Sequence, residues 1–130
     1  MKIEKIYIAS PLNAPTGELI LKNMKFAERY KRIVQKKYGV RVFAPHSYLP
    51  TELDDNIPEE REIAIKFGQA ILNLCDAIAV FTPGELSAGM KAELLSAREK
   101  LILAEDERVA DLIKTFFREN GVTCKNLKLL

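Results

Sequence analysis

Short apolar runs separated by long amphipathic segments leave this chain few ways to bury its surface. Ile3 to Ala9, Val40 to Ala44 and Asp76 to Phe81 have strand character, and each is followed within two residues by a proline, Pro11, Pro45 or Pro83. Between the first two, Ile20, Met24, Ala27, Tyr30 and Val34 recur at helical spacing from about Thr16 to Tyr38. Thr16 can cap this helix and Gly39 can end it. Pro58 suits the first turn of a second helix, with Glu59 and Glu60 at the positive end of its dipole and a stripe of Ala64, Ile65, Gly68, Ile71, Leu72 and Cys75. Strands alternating with helices predict an α/β fold, a three-layer Rossmann-like parallel sheet with crossover helices on both faces.

Further along, Asp76 to Phe81 is apolar enough for a central strand buried on both faces. His46 to Asn56 reads as a long loop, with Pro50 and the turn-forming pair Asp54-Asp55. A helix bearing Glu93 follows Thr82-Pro83-Gly84. Beyond Lys100 the pattern blurs until Val109, Leu112, Ile113, Phe116 and Phe117 mark another amphipathic helix, and Val122 to Leu129 fits a last, edge strand. With 48% hydrophobic residues, the 130 residues suit a single domain spanning 1–130 with one core.

Composition narrows the classes of partner. A net charge of +2 is too near neutral to argue for a polyanion, and Lys31-Arg32 with Lys36-Lys37 reads as a solvated helix face. No nucleic acid polymer and no membrane partner is therefore expected. The amino terminus enters a strand without an apolar signal region, and no apolar run reaches membrane-spanning length, so a soluble cytoplasmic protein is expected. Cys75 and Cys124 are too few and too far apart for a disulfide scaffold, and are expected as core thiols in a reducing compartment. With no metal-ligand cluster and no glycine-rich dinucleotide or Walker-type loop, no cofactor and no metal is expected.

One acidic residue stands where a helix should bury something apolar. If a helix begins near Leu86, Glu93 shares a stripe with Gly89, Met90, Leu94 and Ala97. A carboxylate there must be paired, protonated or facing a cavity, because burying an isolated charge is very costly. In open α/β sheets ligands sit beyond the carboxyl ends of the strands. Those ends carry Ser10-Pro11, Ala44-Pro45-His46 and Thr82-Pro83-Gly84, and the helix starts at Pro58 and Ser87 bring Arg61 and Ser87 to the same edge. Ser87 with Gly89 in the first turn suits a phosphate or carboxylate, although Ser87 can equally be a plain helix cap. His46 can be a loop residue or a functional one. Asp76, at the amino end of its strand, is expected to serve local hydrogen bonding.

Taken in order, Tyr7-Ile8-Ala9-Ser10-Pro11, Ala44-Pro45-His46, Pro58-Glu59-Glu60-Arg61, Gly68 with Leu72 and Cys75-Asp76, and Ser87-Ala88-Gly89-Met90 with Glu93 and Ala97 resemble small bacterial and phage proteins of the nucleoside 2-deoxyribosyltransferase-like superfamily. The similarity covers roughly Ile3 to Lys100, and is nearest to a branch sharing Gly-Met before the glutamate. The resemblance implies cleavage or transfer at the N-glycosidic bond of a nucleoside or its 5′-monophosphate. Glu93 would be the nucleophile, forming a glycosyl ester that water or a second base resolves. Ser87 would contact the 5′-phosphate. Candidate site residues are thus Glu93 and His46 for catalysis, with Ser10, Pro11, Arg61, Ser87, Gly89 and Met90 for substrate binding.

The family pattern is broken at Gly68, where the better-known enzymes usually present an aspartate. His46 or a residue of a partner subunit then supplies the proton, or the chain binds nucleotides without cutting them, as a sensor or sequestering protein. Gly68 itself permits close approach by a helix or a ligand. The resemblance also implies a homo-oligomer, a dimer or higher, for which Phe116, Phe117, Leu129 and Leu130 offer apolar surface, although the same residues can instead cover the sheet.

Overall fold

In the computed structural model, which describes residues 2–130, five parallel strands form one sheet in the order β2-β1-β3-β4-β5. They are β1 (Lys5–Ala9), β2 (Arg41–Phe43), β3 (Ala77–Val80), β4 (Leu101–Ala104) and β5 (Leu127–Leu129). Register is fixed by pairs such as Ile6 with Ala77 and Ile78 with Ile102. All four residues of β3 are buried, because β1 and β4 flank it and helices cover both its faces.

The pleat divides the core into two layers. Tyr7, Ala9, Ile78, Val80, Ile102 and Ala104 pack against α3 (Pro58–Leu74), α4 (Ala88–Ser96) and α5 (Glu107–Glu119). Ile6, Ile8, Ala77, Ala79 and Leu103 face α1 (Gly17–Tyr38), whose Val34 and Tyr30 meet them. Tyr30 stacks on Phe81 at 4.2 Å between centroids, closing that layer. The chain runs outward from β1 to β2, then crosses back over β1 to β3. Right-handed crossovers place α1 on one face and the remaining long helices on the other. The reversal opens a crevice beyond the carboxyl ends of β1 and β3, the position where doubly wound sheets bind ligands.

Several local expectations hold. Thr16 accepts from Leu19 N, Gly39 adopts φ 63° at the end of α1, and Asp76 accepts from Glu4 N and Lys5 N at the amino end of its strand. Cys75 is buried, whereas Cys124 is only partly so; both are free thiols.

Others are corrected. The expected loop 46–56 is largely helical: Pro45–Ser47 form a 3-10 turn and Leu49–Glu52 a short helix, α2. Pro45 and Pro50 fall in first turns, where a missing N–H costs nothing. The blurred stretch after Lys100 contains β4, whose four-residue apolar run is too short to display a period. The last strand is only Leu127–Leu129. Phe116 and Phe117 belong to the core, so they are not interface material, while Leu129 is 49% exposed. The amino half of α3 turns Ile65 away from the core, toward the crevice, and only Leu72 and Cys75 of the expected stripe are fully buried. No described helix is long and apolar enough to cross a membrane.

Candidate functional site

A cleft of about 500 Å³ lies beyond the carboxyl ends of β1 and β3, a volume typical of small-molecule sites. Its walls come from β1 and the segment after it, the helical turns after β2, the cleft side of α3, and the start of α4. Glu93, His46, Arg61, Ser87 and Gly89, far apart in sequence, all line it. Ser10, Pro11 and Met90 do not. Met90 is wholly buried and anchors α4 to the sheet with Leu94 and Ala97. Ser10 is buried and reaches the cleft only indirectly, through its carbonyl, which holds His46. Pro11 is half-buried outside the lining, and closes β1 by removing the next ladder donor.

The floor is built by three residues. Tyr7, on the β1 face that looks toward α3 and α4, donates its hydroxyl to Glu93 Oε2. Gly68 of α3 makes room for that bond, since a Cβ there would sit 3.3 Å from the tyrosine oxygen. Close approach at this mid-helix glycine is therefore by Tyr7. Burial pushes the Glu93 carboxyl up to about 7, against the opposing effect of the tyrosine bond. Burial, then the charge of Glu93, raises the Tyr7 phenol above its ordinary value and keeps it a donor. Glu93 Oε1 is buried and has no hydrogen-bond partner among the described residues. Such an atom is uncommon in a folded protein, and Ser10 Oγ, also buried, shares that state.

The start of α4 forms one wall. Ser87 accepts from Met90 N at 3.2 Å and so caps the helix. The amides of Ala88 and Gly89 have no intrahelical acceptor, as in any first turn, and the Ser87 hydroxyl proton remains free to donate. Capping therefore leaves donors at the start of α4 that face no acceptor within the helix. Across the cleft, the Arg61 guanidinium has neither an ion pair nor a hydrogen bond among the described residues.

His46 is set by Ser10. Its Nδ1 donates to the Ser10 carbonyl at 2.8 Å, which leaves Nε2 as the acceptor of the neutral ring. Burial holds its value below the ordinary imidazole range, while the Ser10 bond and the Asp55 charge oppose that shift. By contrast Thr82-Pro83-Gly84 takes no part in the lining. Arg108 donates to the carbonyls of Thr82 and Gly84, and Thr82 N donates to Glu105, so this turn is fastened to α5.

Tyr7, Asp55 and Gln69 also line the cleft, although none of them was among the candidate site residues. A signal existed for Tyr7, because a tyrosine in a buried strand needs a partner for its hydroxyl. Among the described residues no group of three His, Cys, Asp or Glu side chains is placed to hold a metal ion.

Fold and site together define a doubly wound α/β protein with a cleft of about 500 Å³ at its topological switch point. A family model described as a domain of unknown function, DUF7768, matches residues 4–106, and the chain belongs to that family. The matched span contains every residue of the cleft. No curated protein and no solved structure matches the chain.

Proposed function

We propose that the protein cleaves or transfers at the N-glycosidic bond of a nucleoside or its 5′-monophosphate, with Glu93 as nucleophile. The observation that carries this reading is Glu93 itself, a carboxyl on the floor of a small-molecule cleft with one oxygen fixed by Tyr7 and the other buried and unpartnered. In its ionised form the carboxylate attacks the anomeric carbon, and an oxocarbenium-like transition state gains from the adjacent negative charge. Tyr7 orients the attacking group. The free amides of Ala88 and Gly89, the Ser87 hydroxyl and Arg61 suit a phosphate, by the helix-terminus and charge-assisted bonding that anions favour. His46 is the proton carrier beside the leaving base.

A second reading, a nucleotide-binding sensor or sequestering protein that cuts nothing, is favoured by Gly68, which brings no side chain to the cleft where an acid would help protonate the base. The homo-oligomer remains a proposal, and the exposed Ile63, Phe67 and Leu74 of α3 offer it more apolar surface than α5 does. Incubation with a panel of deoxynucleosides and their monophosphates, with free base quantified by chromatography, separates the two functions. Base release that disappears in Glu93→Gln supports cleavage. Tight nucleotide binding without release establishes the sensor.

A further inference from the structure

The turn between β3 and α4 is held from two sides. Within it, the buried Thr82 hydroxyl donates to the Glu85 carbonyl at 3.1 Å and accepts from Gly84 N at 3.3 Å. From outside, Glu105 Oε1 accepts from Thr82 N at 3.3 Å, and the Arg108 guanidinium donates to the carbonyls of Thr82 and Gly84, the latter at 2.9 Å. Arg108 forms no ion pair among the described residues, although Glu105, Glu107 and Asp111 lie within three positions of it in the chain. Its planar fork engages two main-chain oxygens instead, and such a fork fixes direction as well as distance.

The helix behind the fork is firmly seated. Asp106 caps α5 by accepting from Val109 N at 2.9 Å, and Val109, Ala110 and Ile113 are buried in the core. What the fork holds leads directly to the cleft. Ser87 follows Gly84 by three residues, and Ser87, Ala88 and Gly89 line the cleft with exposed positions. Leu86 is the one buried side chain between Gly84 and Met90. Farther along α4, Met90, Leu94 and Ala97 are wholly buried, so the core places Glu93, whereas the turn places the first residues of the helix.

We infer that Arg108 is a positioning residue for this wall of the cleft. By pinning the carbonyls of Thr82 and Gly84 to α5, it fixes Ser87 to Gly89 where they meet an anion, and so sets a preference for a 5′-monophosphate over the parent nucleoside. This rests on the reading of the start of α4 as the phosphate subsite. Arg108 lines a separate groove with Lys91 and Asp111 and is absent from the cleft, so it acts only through the turn.

Hydrogen exchange read by mass spectrometry tests the clamp without any ligand. In Arg108→Ala the bonded amides of Thr82, Gly84, Met90 and Lys91 should exchange several-fold faster, while those of Leu94 to Ala97 keep the wild-type rate. Calorimetry in the Glu93→Gln background, which stops turnover, then compares ligands. Arg108→Ala should weaken binding of a deoxynucleoside 5′-monophosphate about tenfold and binding of its nucleoside by less than about twofold. Arg108→Lys keeps the charge without the fork and recovers only part of the loss. Arg118→Ala, which removes a cation from the exposed side of α5, leaves both affinities in place. Unchanged exchange in folded Arg108→Ala overturns the clamp, whatever the ligands do. Equal weakening of both ligands, or full recovery by Arg108→Lys, overturns its part in selectivity. If exchange rises while the Glu93→Gln protein binds monophosphate no better than nucleoside, the clamp stands and the phosphate reading falls.

Discussion

Glu93 stabilises the folded chain in one direction of pH only. Its folded value of about 7 lies above its ordinary value of 4.5, so the native state favours the protonated carboxyl. That stability is fully present below about pH 4.5 and is lost as the pH rises through 7. Glu93→Gln removes the cost of burying a charge. Urea unfolding at pH 8 should find the variant more stable than the wild type by up to about 3 kcal/mol, with little difference near pH 4. A wild type more stable than the variant at pH 8 would mean that the carboxylate is compensated in place. At Gly68 two effects compete. Alanine favours the helix by about 1 kcal/mol, while its methyl crowds the Tyr7 hydroxyl at 3.3 Å. Gly68→Ala should therefore melt within a few degrees of the wild type yet lose turnover several-fold, because the Tyr7–Glu93 bond is displaced. Full activity would show that this bond is dispensable.

At the scale of elements, α4 is both a core helix and a wall of the site. Met90, Leu94 and Ala97 bury one face, and Ser87 caps the start that borders the cleft. Ser87→Ala costs about 1 kcal/mol of stability through the lost cap, measurable by thermal unfolding. It should also weaken binding of a 5′-monophosphate roughly ten- to hundredfold more than binding of the parent nucleoside, since a charge-assisted hydrogen bond contributes about 1.5–3 kcal/mol. Equal weakening of both ligands, read by calorimetry, would leave Ser87 as a cap alone. Elements with a strong period or explicit caps were legible in the sequence: α1 between Thr16 and Gly39, α3 from Pro58, α5 from its five apolar positions. Those decided by tertiary contact were not. Strand β4 has four residues and exists because β3 pairs with it, and the 3-10 turn and α2 each carry in their first turn a proline, Pro45 and Pro50, that in sequence resembles a loop's.

For the whole molecule, alternation of strand and helix was enough to predict a parallel sheet with helices on both faces, but not the order of its strands. That order places the crevice between β1 and β3, and so decides which polar residues meet. Glu93 was legible because a charge on an apolar stripe is anomalous by itself. That the Tyr7 hydroxyl bonds Glu93, and that it is the neighbour for which Gly68 leaves space, was not, because each pairing joins residues distant in sequence. Ser10 and Met90 were misplaced for the opposite reason: a position next to a site in sequence is often a support that faces the core. Whether Glu93 holds a sugar in this cleft is decided by intact-mass and peptide-mass measurement after incubation with a slowly resolved deoxynucleotide analogue. A nucleophilic Glu93 leaves a glycosyl adduct on that residue in the wild type and none in Glu93→Gln. Tight binding of the analogue with no adduct on either protein would contradict it.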